Sequence, residues 1–130
     1  MKLSIIIPIR NEEHGVKKIV NQLQNELKSL SYEIIFINDF STDNTAKVTN
    51  EIIKNKSEIS LHDNEKKGLG GAINQGINKA TGDAICIMMS DLSDSIADLE
   101  KYYNIIKDEE VDAVFGSRFI KGSKIINYPK

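Results

Sequence analysis

The stretch LSIIIPI, residues 3–9, decides the fold class of this chain of 130 residues. It is rich in β-branched residues and lacks the alternation of a half-exposed strand, which is typical of a parallel strand buried on both faces. From Glu12 to Leu30 the apolar residues then recur with a 3.6-residue period and predict an amphipathic helix. A buried strand followed by such a helix is the repeating unit of an α/β fold.

The same alternation continues along the chain. We predict further strands at residues 32–37, 59–62, 84–89 and 111–115, with helices over 43–55, 72–80 and 95–107. The run 84–89 is expected to be buried like the first strand. The pattern predicts a Rossmann-like α/β fold, a mainly parallel sheet with helices on both faces. Without a linker or repeat, residues 1–130 are expected to form a single domain.

Composition and charge limit the binding partners and the cellular location expected for this protein. The chain has 17 basic and 19 acidic residues and a formal net charge of −2, which predicts no nucleic-acid partner. One cysteine, Cys86, and the lack of an export signal predict a cytoplasmic location. No stretch approaches the roughly 20 apolar residues that span a bilayer. Any membrane association is therefore expected to come from a partner or from sequence beyond Lys130.

Polar residues follow the predicted strands at the end where α/β sheets bind their ligands. They occupy positions 10–12, 38–39, 90–91 and 116–118. Carboxylates and amides accept hydrogen bonds from base N–H groups and ribose hydroxyls, cations bind phosphate, and glycines allow close backbone approach. The sequence therefore predicts a nucleotide site.

Five segments resemble the motifs of family 2 glycosyltransferases. They are IIPIRNEE at 6–13, YEIIFINDFSTDNT at 32–45, GLGGAINQGINKATGD at 68–83, MMSDLSD at 88–94 and VFGSR at 114–118. The chain most resembles the branch that glycosylates polyprenyl or dolichol phosphates. This resemblance implies a GT-A fold and a nucleotide-sugar-binding domain that is truncated before the acceptor-binding part. On this basis we expect the 130 residues alone to be inactive.

The resemblance also implies roles for particular residues. Asp91 would bind a divalent metal ion and the diphosphate, and Arg118 would hold the acceptor phosphate; these two are the predicted catalytic residues. The predicted nucleotide-binding residues are Pro8, Arg10, Glu12, Asn38, Asp39, Gly68 and Ser90.

Several of these roles have a structural alternative. Glu12 can be an acid favoured by a helix dipole, Asp39 a turn residue, and Asp91 and Arg118 surface residues that follow strands. Arg10 is as compatible with a solvated position as with a ligand contact. The glycine cluster 68–71 either admits substrate or permits close helix packing.

Three residues depart from the family motifs. Met89 replaces the first aspartate of the Asp-x-Asp motif, and a thioether is a poor ligand for Mg²⁺ or Mn²⁺, the expected cofactor, so metal binding is expected to be weakened or lost. Asn38 replaces an aspartate and brings no charge. Phe40 replaces a glycine, so this turn either avoids positive φ or tolerates strain.

The favoured hypothesis is an inverting glycosyltransferase that moves a sugar from a nucleoside diphosphate sugar to a polyprenyl phosphate at the cytoplasmic membrane face. A second hypothesis is transfer to a sugar hydroxyl in polysaccharide or glycolipid synthesis, which requires a general base beyond Lys130. A third is a degenerate, non-catalytic nucleotide-binding module, consistent with Met89 and Asn38.

Overall fold

The computed structural model describes residues 1–91 and 96–114 as an α/β sandwich. Its strands are β1 (Lys2–Ile9), β2 (Ser31–Asn38), β3 (Ile59–Asp63) and β4 (Ala84–Ile87). Its helices are α1 (Val16–Glu26), α2 (Thr45–Ile53), α3 (Leu69–Lys79) and α4 (Ile96–Asp108). The strands pair in parallel in the order β3-β2-β1-β4. The Rossmann-like fold predicted from the alternating pattern is confirmed.

Central strand β1 supplies side chains to a core on each face of the sheet. Leu3, Ile5, Ile7 and Ile9 join the larger core, to which helices α1, α2 and α4 contribute. Ile6 lies in the smaller core on the opposite face, which α3 covers. All residues from Leu3 to Ile9 are buried, as the β-branched run predicts, because β1 has a strand on either side and helices on both faces.

Strand β4 differs from its prediction as a fully buried strand. It ends at Ile87 rather than Met89, and Ile85 and Ile87 are 45% and 46% exposed. The side chains of Ala84 and Cys86 pack against the larger core on the other face. In the described part of the chain β4 is an edge strand, and α3 lies over β1 and β2, which leaves one face of β4 uncovered.

The predicted strand at 111–115 is wrong for the residues that the structure describes. Residues 111–114 form no strand, and Phe115 lies outside the described part. The backbone after α4 turns instead, since the N–H of Val111 donates to the carbonyl of Glu109 at 2.9 Å. An apolar run alone does not form a strand without a neighbour for its backbone groups.

Two helices begin three or more residues away from their predicted starts. Helix α1 starts at Val16 rather than near Glu12, because the N–H groups of Gly15 and Val16 both donate to the Glu12 carbonyl and close a turn first. Helix α3 starts at Leu69 and includes two glycines that the prediction assigned to the preceding loop.

A carboxylate joins three segments at the amino end of the sheet. Glu33 Oε1 of β2 accepts hydrogen bonds from Ser4 Oγ of β1 at 2.6 Å and from Thr81 N and Oγ1 at 2.6 and 2.9 Å. Burial by itself raises the pKa of Glu33, but these bonds and the nearby Lys2 ammonium outweigh it and lower the pKa. The turn between α3 and β4 is thereby fixed to β1 and β2.

A mostly apolar cleft of about 690 Å³ runs along β4 and α4. It is lined by Leu3, residues 83–88, several side chains of α4 and residues 112–114, and by none of the predicted nucleotide-binding residues. Across the described ranges, no helix combines the length and apolar character that crossing a bilayer requires.

Candidate functional site

The order of the strands reverses between β1 and β4, and this is where the candidate site lies. Strands β2 and β3 lie on one side of β1 and β4 on the other. In open α/β sheets the crevice beyond the carboxyl ends of the strands at such a reversal binds ligands. A hydrogen bond of 3.0 Å from Ser90 Oγ to Glu12 Oε1 spans this crevice. Two predicted nucleotide-binding residues, 78 positions apart, are thus brought into contact.

Pro8 lies buried in β1 beside this crevice. The carbonyl of Ile6 accepts from Met88 N on the β4 side, whereas the carbonyl of Ile9 accepts from Asp39 N on the β2 side. Successive residues of β1 therefore direct their backbone groups to β4 and to β2 in turn. Pro8 therefore faces the β4 side, beyond the last paired residues, Ile6 and Ile87. Its missing N–H therefore lies beyond the paired part of β4, which explains how a central strand accommodates proline here.

Asp39 is held in one orientation at the end of β2. It is 9% exposed, and its Oδ1 accepts hydrogen bonds from Gly68 N at 3.0 Å and from Asn64 Nδ2 at 2.9 Å. The bond from Gly68 lowers the pKa of Asp39 most; burial opposes it, and Asn64 with the cationic Arg10 and Lys67 adds to the lowering. Asp39 is thus an ionised, oriented acceptor at neutral pH.

Asn38 pairs with the acid that ends the neighbouring strand β3. Its Nδ2 donates to Asp63 Oδ1 at 3.2 Å, and its Oδ1 accepts from Ser41 N at 3.3 Å. An aspartate at position 38 would offer no donor and would face the Asp63 carboxylate. The replacement of the family's aspartate by Asn38 therefore has a local physical reason in Asp63.

Bonds between backbone N–H groups and side chains brace the loop after β1 against the motif at 41–45 in the loop after β2. Asn11 Oδ1 accepts from Thr42 N at 2.8 Å, and Glu12 N donates to Thr45 Oγ1 at 2.8 Å. Glu13 Oε2 accepts from Asn44 N at 3.0 Å. The two loops form one hydrogen-bonded unit, which fixes the backbone around Glu12.

Phe40 adopts the backbone conformation that glycine favours. Its φ is 56°, and its side chain is 47% exposed. The replacement of the family's glycine by Phe40 allowed two interpretations. The one in which the turn avoids positive φ is wrong, and the turn tolerates the strain.

Two glycines at the start of α3, Gly68 and Gly71, have different structural roles. At Gly71 an added Cβ would lie 2.0 Å from the carbonyl oxygen of Lys66, so this glycine permits close packing. At Gly68 an added Cβ would meet nothing within 4 Å, but its φ of 112° disfavours other residues. That conformation directs the Gly68 N–H to Asp39.

The structure describes the positions of Arg10, Ser90 and Asp91 but not that of Arg118. Arg10 is exposed, Ser90 is half-buried, and Asp91 and Met89 are exposed at the end of β4. Arg118 lies outside the described residues. Within residues 1–91 and 96–114, no group of three or more His, Cys, Asp or Glu side chains has the arrangement of a metal site.

Two residues of the network were not singled out from the sequence. Asn64 is 5% exposed, and its Nδ2 also donates to Lys66 O at 2.7 Å, so it joins Asp39 to the turn before α3. Asp63 contacts Asn38. The sequence signal is the pair DN at 63–64, directly after the strand predicted at 59–62, a combination that favours structured turns.

A parallel sheet with helices on both faces and polar side chains gathered at the reversal of strand order defines the Rossmann-like class of ligand-binding α/β domains. Within that class, the chain belongs to glycosyl transferase family 2, whose model matches residues 4–130.

Proteins with similar sequences are longer than this chain. The chain is 33% identical over 129 residues to the dolichol-phosphate mannosyltransferase of Pyrococcus furiosus, covering 99% of this chain and 36% of that protein. It is 30% identical over 116 residues to the undecaprenyl-phosphate 4-deoxy-4-formamido-L-arabinose transferase of Proteus mirabilis, covering 81% and 36%. The chain thus spans little more than a third of the length of these relatives.

A solved structure supports the fold. Glucosyl-3-phosphoglycerate synthase of Mycobacterium tuberculosis, in complex with Mn²⁺, UDP and phosphoglyceric acid, is similar with a TM-score of 0.68. The identity is 19%, and the match covers 84% of this chain and 40% of that one. At this identity the likeness concerns the fold alone.

Proposed function

We propose that this chain is the nucleotide-sugar-binding domain of an inverting glycosyltransferase that transfers a sugar to a polyprenyl phosphate at the cytoplasmic membrane face. The observation that carries the proposal is the Ser90–Glu12 hydrogen bond across the strand-order reversal, with the fixed carboxylate of Asp39 on the same edge of the sheet. The family membership supports sugar transfer. The names of the two relatives, which specify dolichol phosphate and undecaprenyl phosphate, support the acceptor.

The nucleoside would lie against the carboxyl ends of β1 and β2. Asp39 presents a carboxylate whose orientation is already set, which suits an acceptor for base N–H or ribose hydroxyl groups. Glu12 would contact the ribose, with its carboxylate positioned by Ser90. Arg10 supplies positive charge near Asp39. Pro8, Asn38 and Gly68 would shape the pocket through their backbone.

The proposed reaction needs no catalytic base. An oxygen of the acceptor phosphate attacks the anomeric carbon from the face opposite the leaving group, a new C–O bond forms, and the bond to the nucleoside diphosphate breaks. A phosphate monoester is already a nucleophile at neutral pH, so what it requires is a cation to hold it. We assign this role to Arg118 because a guanidinium binds phosphate oxygens in a bidentate manner.

The donor set at the end of β4 does not by itself fit a divalent cation. Asp91 offers one carboxylate, while Met89 offers a thioether where a hard cation prefers oxygen. The described residues contain no three-ligand cluster. We therefore assign no step to a metal, although a Mg²⁺ or Mn²⁺ ion bound through Asp91 would neutralise the departing diphosphate.

Calorimetric titration of the purified chain with UDP, GDP and CMP, each with and without Mn²⁺, tests the nucleotide site. We expect one nucleotide to bind specifically and Glu12→Gln to weaken it. Glu33→Gln is the matched control, because it removes a carboxylate at the opposite end of the sheet. Equal binding by wild type and Glu12→Gln would contradict the role of Glu12, and no binding by the wild type would contradict the nucleotide site.

The acceptor is tested separately, on the full-length gene product. With the nucleotide sugar that the titration selects, we expect labelled sugar to appear in the lipid extract when undecaprenyl phosphate is supplied, and Arg118→Ala to abolish it. Label that enters only a polymer or a sugar hydroxyl would favour the second type of acceptor.

A degenerate nucleotide-binding module is the alternative that one specific observation favours. Met89 occupies the first position of the metal motif, and no metal cluster lies in the described ranges. Met89→Asp restores the motif, and a gain in Mn²⁺-dependent UDP or GDP affinity would support loss of a ligand as the cause. Unchanged affinity would exclude that simple explanation.

A further inference from the structure

Phe40 incurs two free-energy costs that its surroundings do not explain. In residues 1–91 and 96–114, three non-glycine residues have positive φ: Asn11 at 52°, Phe40 at 56° and Asn55 at 69°. Asparagine tolerates this region because its short polar side chain bonds locally, whereas an aromatic residue does not. Phe40 also leaves 47% of its surface exposed, so burial of the ring in the protein core does not offset the strain.

The turn that holds Phe40 is fixed on both sides. Asp39 N donates to Ile9 O at 2.8 Å, and Ser41 N donates to Asn38 Oδ1 at 3.3 Å. Asn11 N donates to Ser41 Oγ at 3.0 Å. These bonds hold the turn in which Phe40 has its left-handed backbone, and a glycine would adopt this conformation without strain.

The same bonds place position 40 beside the candidate site. The Ile9–Asp39 and Asn11–Ser41 hydrogen bonds flank position 40 on one loop and position 10 on the other, so Phe40 lies beside the loop after β1. Its chain neighbour is Asp39, the oriented carboxylate. An exposed aromatic ring next to a fixed hydrogen-bond acceptor matches the two surfaces of a nucleobase, a flat π-face and an edge of N–H donors.

We infer that the Phe40 ring is the stacking surface for the nucleobase of the donor nucleotide, and that the backbone strain is retained to present it. Strained residues held by over-determined backbone cluster at ligand sites. The inference rests on the proposed nucleotide-binding function and adds to it a residue that determines base affinity. A base stacked on Phe40 would present its edge to Asp39.

Variants separate the ring from the strain. Phe40→Gly removes both, Phe40→Leu keeps a bulky apolar side chain with comparable strain but no π-face, and Phe40→Tyr keeps the π-face. Asn55→Gly is the matched control, because it removes positive-φ strain at an exposed position in the turn between α2 and β3. Affinity is measured by calorimetry with UDP, GDP and CMP, and stability by the thermal unfolding midpoint.

We expect opposite effects on stability and binding. Phe40→Gly should raise the unfolding midpoint, as should Asn55→Gly, yet weaken binding of the preferred nucleotide roughly 5- to 160-fold, the range for loss of one base–aromatic stack. Phe40→Leu should weaken binding by a similar factor, while Phe40→Tyr and Asn55→Gly should bind within about threefold of wild type. Ribose 5-phosphate and pyrophosphate, which lack a base, should bind all variants alike.

Two results would overturn the inference, and they are distinguishable. If the wild type binds a nucleotide and Phe40→Gly and Phe40→Leu bind it equally well, the ring has no part in base binding while the proposed function stands. If the wild type binds none of the nucleotides, the proposed function fails and the inference fails with it.

Discussion

Replacing Asp39 by asparagine changes charge with almost no change in shape, and it tests the account of the candidate site. The introduced amide would keep an oxygen that can accept from Gly68 N and Asn64 Nδ2. It would lose the negative charge that strengthens both bonds. We expect a folded protein of lower stability that binds nucleotide weakly.

The magnitude follows from the two hydrogen bonds. Bonds to a charged group contribute about 1.5–3 kcal/mol each and neutral ones about 0.5–1.5 kcal/mol, so removing the charge from two bonds costs about 2–3 kcal/mol at most. Asn64 also donates to Lys66 O at 2.7 Å, which reduces its dependence on Asp39. We therefore expect a loss of about 1–2 kcal/mol in the free energy of unfolding at neutral pH.

The loss should depend on pH in a defined direction. Because the folded protein lowers the pKa of Asp39 below its ordinary value of 3.8, the ionised carboxylate stabilises the fold above that value. This contribution disappears as the pH falls through the lowered pKa of the folded state. The stability difference between wild type and Asp39→Asn should therefore be full at pH 7 and shrink as the solution is acidified below pH 3.8.

Urea unfolding of both proteins at pH 7 and at successively lower pH measures this difference. Equal stabilities at pH 7 would refute the claim that Gly68 and Asn64 stabilise the charged carboxylate. A difference that grows on acidification would also refute it, because the sign would be that of a carboxylate with a raised pKa. Wild-type nucleotide affinity in Asp39→Asn would contradict the proposed role in binding.

Two further changes test the explanations given for individual residues. Glu33→Gln should lower the free energy of unfolding by about 1–2 kcal/mol, because charge-assisted bonds from Ser4 and Thr81 become neutral ones; urea unfolding measures the loss, which should vanish in acid since the pKa of Glu33 is lowered in the fold. Asn38→Asp should destabilise by about 1 kcal/mol at pH 7 through lost donation to Asp63 and carboxylate repulsion. Added Asp63→Asn should restore the stability, and a double variant no more stable than Asn38→Asp would contradict the pairing.

The polar strand ends could be identified as a candidate site from the sequence, but their mutual arrangement could not. Glu12 and Ser90 were both selected by their place after a strand, yet the bond between them depends on β4 lying next to β1. The sequence likewise could not explain why asparagine occupies position 38, because the register of β2 with β3 is what brings Asp63 next to it. Strand order and register are long-range properties that local patterns do not encode.

The sequence by itself determined the alternation of buried strands and amphipathic helices, since hydrophobic periodicity is a local consequence of backbone geometry. It placed β1 from residue 3 to residue 9 and the core of α1 correctly. Only the tertiary structure decided that the described residues leave one face of β4 uncovered, that residues 111–114 turn instead of pairing, and that Phe40 carries a strained backbone. These outcomes depend on which elements become neighbours, because burial and hydrogen-bond partners come from segments distant in the chain.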